Sequence, residues 1–476
     1  MAISVEDSIL AVLKTFYAKE GVQNLLFRNS PVLKKIGKTR VEGKEQAFSA
    51  MYGFGGAVSS DYTVALNNAV NQAKNVEFKV TPGQLFSVYQ LNAKEIQASL
   101  TRRGAYMKVA GNKHFAATEG MRKSLAAAFY GRGYGEIAVL GSANAAILAA
   151  GPVSPATTVT LTIADDAVMK FDVGSKLAVK TSVAATAESV VLTVNKITGN
   201  KVEVTPSAAY SGAAATDVIT IAGSIDASGN PLMPVGLGGW LPIVDKRDET
   251  AGSDWLTYIG TKFFDVTRSI ASDRLAGQFY DGTANSGEKK SLSVQKLIKK
   301  VRRAGSKADL IILNDDDFFD LSQEIESTNT YFTKTSTKES KKASVGFSDI
   351  TASFSTNYIE NIVDDPYCPK GQFYVLDMDT VEMWSYTNAD YVDDGIAGNE
   401  AGKIMNADVD NDKGKEEAPY KLLIDDYISV QPGTPTTNGP TSIVATTLFA
   451  SYAIWNTSVN GVGLFADAAN LVEASV

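Results

Sequence analysis

The sequence contains one cysteine and one histidine among its 476 residues. A single cysteine, Cys368, excludes an intrachain disulfide and a cluster of thiolate metal ligands. A single histidine, His114, excludes histidine-rich zinc sites and leaves any serine–histidine catalytic pair dependent on that residue. No apolar run approaches the roughly 18 residues of a membrane span. We therefore expect no metal, no cofactor and no membrane contact.

The composition is that of a globular protein, with 44% hydrophobic and 21% charged residues, and the length suggests roughly three domains. The formal net charge is -8. This charge argues against a protein whose main task is binding nucleic acid, because phosphate binding depends on Lys and Arg. The first residues lack the basic-then-apolar pattern of a secretory signal, which predicts that the chain remains in a cytoplasm or in a particle assembled there.

We expect the segment 84–135 to form the structural centre around which the rest of the chain is arranged. Residues 84–89 alternate as a strand, and no proline interrupts Glu95 to Phe129, where helix-forming residues dominate. The apolar residues of that stretch recur at three- and four-residue steps, typical of a helix with one buried stripe. Gly131, Gly133 and Gly135 predict the end of this helix.

We expect the first 83 residues to form two segments outside the compact domains, an arm and a loop. Residues 1–40 form an N-terminal arm with a short helix between Ser4 and Gly21, and Pro31 opens another helical turn. So short a helix is unstable alone and must dock on this chain or on a neighbouring one. Residues 41–83 are polar and glycine-bearing, which predicts a long extended loop containing a strand at Val76 to Val80.

Composition changes at residue 151, and residues 151–224 predict an inserted small β-barrel or sandwich. Gly199-Asn200 predicts a tight hairpin turn between two of its strands. Five short alternating runs define the insertion: Val159 to Ile163, Leu177 to Val179, Leu192 to Val194, Val202 to Val204 and Ile219 to Ile221.

Residues 225–476 predict a mixture of helix and sheet, so the expected class is α+β. The spacing of Val294, Leu297, Ile298 and Val301 predicts a helix, and Leu310 to Leu313 predict a buried strand. Asn314 or Asp315 would then cap a helix that continues through Leu321 and Ile325.

The remaining segments of this region predict loops and strands. The predicted loops are Thr330 to Ser344 and the acidic stretch Ala389 to Pro419. The predicted strands are Phe373 to Leu376, Val381 to Trp384, Leu422 to Val430 and Ser442 to Trp455.

One motif suggests catalysis. Val375 to Val381 resembles the first motif of haloacid-dehalogenase-type phosphohydrolases, in which Asp377 would be the nucleophile and Asp379 the acid/base. That fold requires further βα units, whereas the residues after Thr380 are mostly strand-like. We therefore interpret residues 377–380 as a hairpin turn, where aspartate is common.

Other charged motifs do not match known sites. Asp408, Asp410 and Asp412 lack the glycine and glutamate positions of a calcium loop. Asp315 to Asp317 could bind Mg²⁺, but helix capping explains them more simply. The sequence therefore predicts no catalytic, cofactor-binding or metal-binding residues.

The order of these parts resembles that of the major capsid proteins of tailed bacteriophages, whose fold is shared with the floor of herpesvirus shells. The ending, Leu448 to Asn456 followed by Gly461 to Phe465, is similar to phage coat-protein endings, and the resemblance extends to those of crAss-like phages. The resemblance implies an N-arm (1–40), an extended loop (41–83), and a peripheral domain with a spine helix (84–150). It also implies an axial domain with returning peripheral strands (225–476), whereas the 151–224 insertion departs from the minimal plan.

The resemblance implies a shell subunit that assembles with itself into hexamers and pentamers around packaged double-stranded DNA. Scaffold, portal and decoration proteins would be further partners, and the location would be the virion, assembled in the host bacterial cytoplasm. Two alternatives remain open: another virion component such as a tail or fibre protein, and the phosphohydrolase.

Overall fold

The computed structural model describes residues 30–41, 44–53, 58–68, 73–92, 109–150, 158–328, 352–354, 357–359, 361–385, 389–392, 421–424, 428–432 and 441–468. The N-arm before residue 30, the loop Thr330 to Ser344 and the Asp408 to Asp412 motif lie outside these residues. Among the described helices, none is long and apolar enough to cross a membrane.

The strands are named here in chain order. They are β1 (Gly37–Arg40), β2 (Gln46–Gly53), β3 (Lys74–Val80), β4 (Gly83–Asn92), β5 (Glu136–Val139), β6 (Val159–Thr162), β7 (Lys176–Lys180), β8 (Val190–Thr198), β9 (Lys201–Pro206), β10 (Val218–Ile221), β11 (Gln278–Asp281), β12 (Leu310–Leu313), β13 (Ala352–Phe354), β14 (Asn357–Ile359), β15 (Asn361–Asp364), β16 (Gln372–Leu376), β17 (Val381–Ser385), β18 (Ala389–Val392), β19 (Lys421–Ile424), β20 (Ile428–Pro432), β21 (Thr441–Ile454) and β22 (Gly461–Leu464).

The α-helices are named in the same way. They are α1 (Pro31–Lys35), α2 (Tyr62–Asn68), α3 (Val109–Tyr130), α4 (Gly141–Ala150), α5 (Asp165–Val168), α6 (Leu237–Trp240), α7 (Asp254–Gly260), α8 (Ser272–Leu275), α9 (Lys290–Arg303) and α10 (Asp315–Thr328). Short 3₁₀ turns occur at Val244–Arg247, Arg268–Ile270, Met378–Thr380 and Thr457–Val459.

The long strand β21 organises the first sheet. β4 pairs antiparallel with residues 441–450 of β21. On the other side of β21, β20 pairs with its first half and β17 with its second half, and β1 lies parallel to β17. The helix α3 packs on this sheet through Phe129, whose ring lies 4.9 Å from that of Tyr452. The Tyr452 hydroxyl donates to the Leu125 carbonyl oxygen at 3.0 Å. The predicted extended segment and helix are therefore confirmed within the described residues.

The second sheet has the order β11-β22-β16-β12-β15, and its three central strands are buried on both faces. Leu310 and Ile312 of β12 face the main core, whereas Ile311 and Leu313 face the core beneath α9 and α10. A strand covered on both faces needs a continuous apolar sequence, which explains why β12 does not alternate. The predicted strand at 310–313 and the helix after it are confirmed. Asn314 Oδ1 accepts from Asp316 N at 3.0 Å, so Asn314 caps α10.

The third sheet is antiparallel, with the order β5-β10-β7-β8-β9-β6 and its own apolar core. All five alternating runs coincide with its strands, apart from Ile163, which directly follows β6. β8 and β9 turn at Gly199, whose φ is +57°. The sheet also includes β5, which precedes residue 151, because β5 pairs with β10. The 151–224 boundary remains a prediction, but the sheet extends beyond it.

Two predictions about the C-terminal region are wrong. β16 and β17 do not form a hairpin: β16 pairs with β12 and β22, whereas β17 pairs with β1 and β21. Residues 377–380 therefore connect two different sheets, because hydrogen bonding to distant strands decides the pairing of β16 and β17. In addition, the start of the predicted acidic loop is a strand, since β18 pairs antiparallel with β19.

Candidate assembly surface

The hairpin of β2 and β3 is anchored at its base by aromatic packing. Phe48 and Phe78 stack with ring centroids 5.3 Å apart, and both lie against Trp240 at 6.1 and 5.4 Å. Trp384 meets Phe48 edge-on at 6.0 Å. Such aromatic pairs add stabilisation beyond the area that they bury. The base of the β2–β3 hairpin is thus part of the main core.

Polar contacts attach the same hairpin to the segment 263–274. Lys79 N donates to the Phe264 carbonyl oxygen at 3.1 Å, and the Lys79 ammonium lies 3.5 Å from Asp265. The Arg274 guanidinium donates to the Tyr52 carbonyl oxygen. These contacts hold the hairpin on this chain at both ends of its strands, because Lys79 lies near the base and Tyr52 near the far end.

In the helix α2, between the two strands, none of the residues 62–67 is buried. Asp61 caps it, because Asp61 Oδ1 accepts from Thr63 N at 2.7 Å and from Val64 N at 3.2 Å. Val58, Tyr62 and Leu66 are 97%, 79% and 56% exposed. A seven-residue helix is unstable in isolation, and clustered apolar exposure marks interaction sites. We name residues 58–68 the apolar tip.

A second apolar surface lies on β4. Leu85 of β4 is buried, whereas Phe86 and Val88 point the other way and are 58% and 59% exposed. The Phe86 ring contacts Phe449 of β21 edge-on at 6.2 Å. The alternation that predicted this strand therefore has apolar residues on both faces.

The aspartates of the phosphohydrolase hypothesis hold a connection between sheets. Asp377 N donates to Asn460 Oδ1 at 2.8 Å, and Lys307 N donates to Asp377 Oδ2 at 3.3 Å. Asp379 is exposed and lies 3.1 Å from the Lys307 ammonium. β16 runs antiparallel to both neighbours, whereas βα units produce parallel strands. The geometry does not favour the enzyme hypothesis.

Sequence reasoning missed a charged cluster around Lys290. Its Nζ atom lies 2.6 Å from Asp317, 2.8 Å from Asp320 and 3.2 Å from Asp467. Burial opposes the charge of Lys290, yet its hydrogen bonds to Asp317 and Asp320 raise its pKa overall. The ammonium occupies the position that a metal ion would need among these carboxylates. The sequence predicted Asp317 only as a capping residue. No local pattern indicated that Asp467, far along the chain, would meet Lys290.

The remaining sequence candidates have structural surroundings. Cys368 is buried in a turn after β15. Gly133 and Gly135 follow α3 with φ of +93° and +69°, as predicted for residues that end a helix. His114 lies within α3, but its side chain is outside the described part of the chain.

Comparison with known proteins gave matches among solved structures only, since no family model and no curated protein matches the sequence. The capsid asymmetric unit of cyanophage A-1(L) is 10% identical, covers 97% of this chain and 98% of its own, and has a TM-score of 0.48. A structure of Mycobacterium phage Bobi is 9% identical over 98% and 100% of the two chains, with a TM-score of 0.38. An encapsulin complex from Synechococcus elongatus is 7% identical over 99% of each chain, with a TM-score of 0.39.

The chain is similar to phage capsid structures. The predicted α+β class and the predicted resemblance are confirmed as a likeness of fold, whereas the crAss-like subtype is not. At these identities and TM-scores the likeness carries no inference about function, which depends on the surfaces of this chain.

Proposed function

We propose that this protein is a structural subunit that assembles with copies of itself into a closed shell. The observation that carries the proposal is the apolar tip, which lies between two strands anchored in the core by Phe48 and Phe78, and whose helix is not buried at residues 62–67. Docking on a neighbouring copy would remove Tyr62 and Leu66 from water. Closed assemblies of identical chains form through repeated contacts of this kind.

The finer proposal is a major capsid protein whose hexamers and pentamers build the icosahedral shell of a phage virion. The shell would enclose double-stranded DNA and would assemble in the host bacterial cytoplasm, with scaffold, portal and decoration proteins as further partners. The net charge of -8 suits a wall that lies near packaged DNA without binding it tightly.

The proposal assigns no enzymatic role to the chain. The phosphohydrolase alternative loses support because Asp377 sits at a connection between two sheets and contacts Asn460 and Lys307 N. A tail or fibre component would also use self-association, and the shape of the assembled particle separates it from a shell.

Electron microscopy of Tyr62→Ser/Leu66→Ser beside the wild-type chain tests the proposal. We expect closed shells from the wild type, expressed alone or with the products of neighbouring genes. We expect the variant to remain as monomers or small oligomers, because burying its serine side chains against a neighbouring copy no longer supplies the free energy of apolar burial. The circular dichroism and thermal unfolding of the variant should stay unchanged, since both side chains are already exposed.

Val173→Ser is the matched control, because this exposed valine lies in a different region, between α5 and β7. The control should assemble like the wild type. Tubes or fibres from the wild type would instead support a tail protein, and shells formed equally well by the tip variant would contradict the role of the tip.

A further inference from the structure

Four strands of the second sheet point in one direction. β11, β22, β12 and β15 are parallel to one another, and β16 alone runs the opposite way. The carboxyl ends of the four strands therefore meet at one edge of the sheet. The helix α9 returns between β11 and β12, so its last turn lies at the other edge.

The edge at the carboxyl ends of the strands is acidic. The residues that end or follow those strands include Asp364 at the end of β15, Asp315 and Asp316 after β12, and Asp467 after β22, and all four are exposed. Phe319 on α10 is also exposed there, at 59%. We name this group the acidic end.

The opposite edge is basic. Lys299, Lys300 and Arg303 end α9, Lys307 precedes β12, and all four are exposed. A helix of 14 residues such as α9 spans roughly 21 Å. The two groups of charge are thus separated by more than a Debye length at physiological salt. We name this group the basic end.

Helix dipoles explain only part of this separation. Asp315 and Asp316 begin α10 and Arg303 ends α9, where their charges are favoured. Asp364, Asp467 and Lys307, however, lie outside both helices. Burial raises the pKa of Asp315, and the nearby carboxylates of Asp364 and Asp316 raise it further. The acidic end therefore contains like charges in proximity.

Intrachain pairing leaves part of each end available. Lys370 pairs with Asp316 at 2.7 Å and Lys307 pairs with Asp379 at 3.1 Å. Among the described residues, Asp315, Asp364, Lys299 and Arg303 take part in no salt bridge. Each end thus carries an excess of one sign of charge, although an exposed charge of the other sign also lies at each end, Lys289 at the acidic end and Asp309 at the basic end.

We propose that the acidic end of one copy contacts the basic end of the next copy around a closed ring. The contact is head-to-tail, so its two surfaces differ and a rotation closes the ring. Complementary charge favours this orientation and disfavours contacts between two like ends. The inference rests on the proposed shell function and specifies which surfaces of the second sheet and its helices meet.

Charge reversal at each end tests the contact. Asp315→Lys/Asp364→Lys gives a chain with two basic ends, and Lys299→Glu/Arg303→Glu gives a chain with two acidic ends. We expect roughly tenfold or greater loss of ring formation by either variant alone, because like ends then face each other. Native mass spectrometry and electron microscopy at low ionic strength measure the rings.

Mixing the two variants in equal amounts supplies the decisive measurement. Opposite ends meet again in alternating order, so rings with an even number of copies should reappear and odd-numbered rings should not. Lys176→Glu/Lys201→Glu, which reverses two exposed lysines of the third sheet, is the matched control and should form rings like the wild type. Thermal unfolding of each variant confirms that it is folded.

The outcomes separate this inference from the proposed function. A wild-type chain that forms neither rings nor shells contradicts the function itself. If the wild type assembles and each single-end variant forms rings equally well, the head-to-tail contact is overturned but the proposed function is not. Folded single-end variants that fail to form rings even when mixed also overturn it, since restored complementarity should restore the ring.

Discussion

At the scale of single residues, Asp365 connects parts of the chain that are far apart in sequence. Its Oδ2 atom accepts from the Ser30 hydroxyl, and from the Tyr130 hydroxyl at 2.8 Å, while Oδ1 accepts from Tyr367 N at 3.0 Å. The side chain is buried, and burial raises its pKa to about 6. The hydrogen bonds lower the pKa but do not offset the loss of hydration.

The raised pKa of Asp365 predicts that stability depends on pH. An unfolded aspartate titrates near 3.8, so between about pH 4 and pH 6 the folded chain holds a proton that the unfolded chain has lost. The free energy of unfolding therefore falls as pH rises through this window. The full effect is about 3 kcal/mol, at about 1.36 kcal/mol for each unit of pKa. Asp365→Asn should flatten this dependence in urea titrations at pH 4 to 7.

Asp226→Asn is the control for that measurement. Hydrogen bonds from Asn230 and Ser228 lower the pKa of the partly exposed Asp226. Its contribution to stability is therefore lost as pH falls, which is the opposite pH dependence to that of Asp365. An Asp365→Asn chain whose stability retains the full wild-type fall between pH 4 and 6 would refute the assignment to Asp365.

At the scale of elements, the end of α3 depends on a close backbone approach. A Cβ atom on Gly236 would lie 2.1 Å from the Phe129 carbonyl oxygen and 2.3 Å from that of Ala128. Gly236 N donates to the Gly131 carbonyl oxygen at 3.0 Å, and Tyr452 N donates to Val235 at 3.1 Å. The segment around Gly236 thus lies between the end of α3 and β21.

Gly236→Ala should therefore separate α3 from this segment. We expect a loss of about 3 kcal/mol or more in the free energy of unfolding, because backbone atoms cannot move aside as side chains do. Gly120→Ala is the matched control: Gly120 lies within α3, and its Cβ would meet no atom within 4 Å. The control should gain about 1 kcal/mol from helix propensity. Equal effects of the two substitutions in chemical denaturation would contradict this role of Gly236.

At the scale of the whole molecule, the apolar core of the third sheet is separate from the main core and meets it at Ile221. The third sheet encloses its own core, and Ile221 packs against both. The helix α4 belongs to the smaller unit, because Asn144 Nδ2 donates to the Leu140 and Thr162 carbonyl oxygens, both at 2.7 Å. Asn144 Oδ1 accepts from Thr162 N at 2.8 Å.

This organisation predicts that a fragment covering residues 134–225 folds on its own. It retains β5, α4 and the whole third sheet, so it should unfold cooperatively on heating, as followed by circular dichroism. The fragment 151–224, cut at the boundary predicted from composition, loses β5 and α4 and should not unfold cooperatively. Cooperative melting of both fragments would show that β5 and α4 are dispensable.

The sequence alone located most of the elements, because local periodicity and turn residues are properties of neighbouring residues. It identified the strand at Leu310–Leu313, the helix α9, the five runs of the third sheet and the glycines after α3. It also indicated that the first eighty residues include an extension that needs a partner.

Only the tertiary structure decided which strands pair and where polar groups meet. β16 and β17 are separated by four residues yet belong to different sheets, and Lys290 meets Asp467 across a large distance in sequence. The acidic and basic ends exist because parallel strands bring their termini together. Such contacts form only when segments distant in sequence pack together, so no pattern among neighbouring residues indicates them.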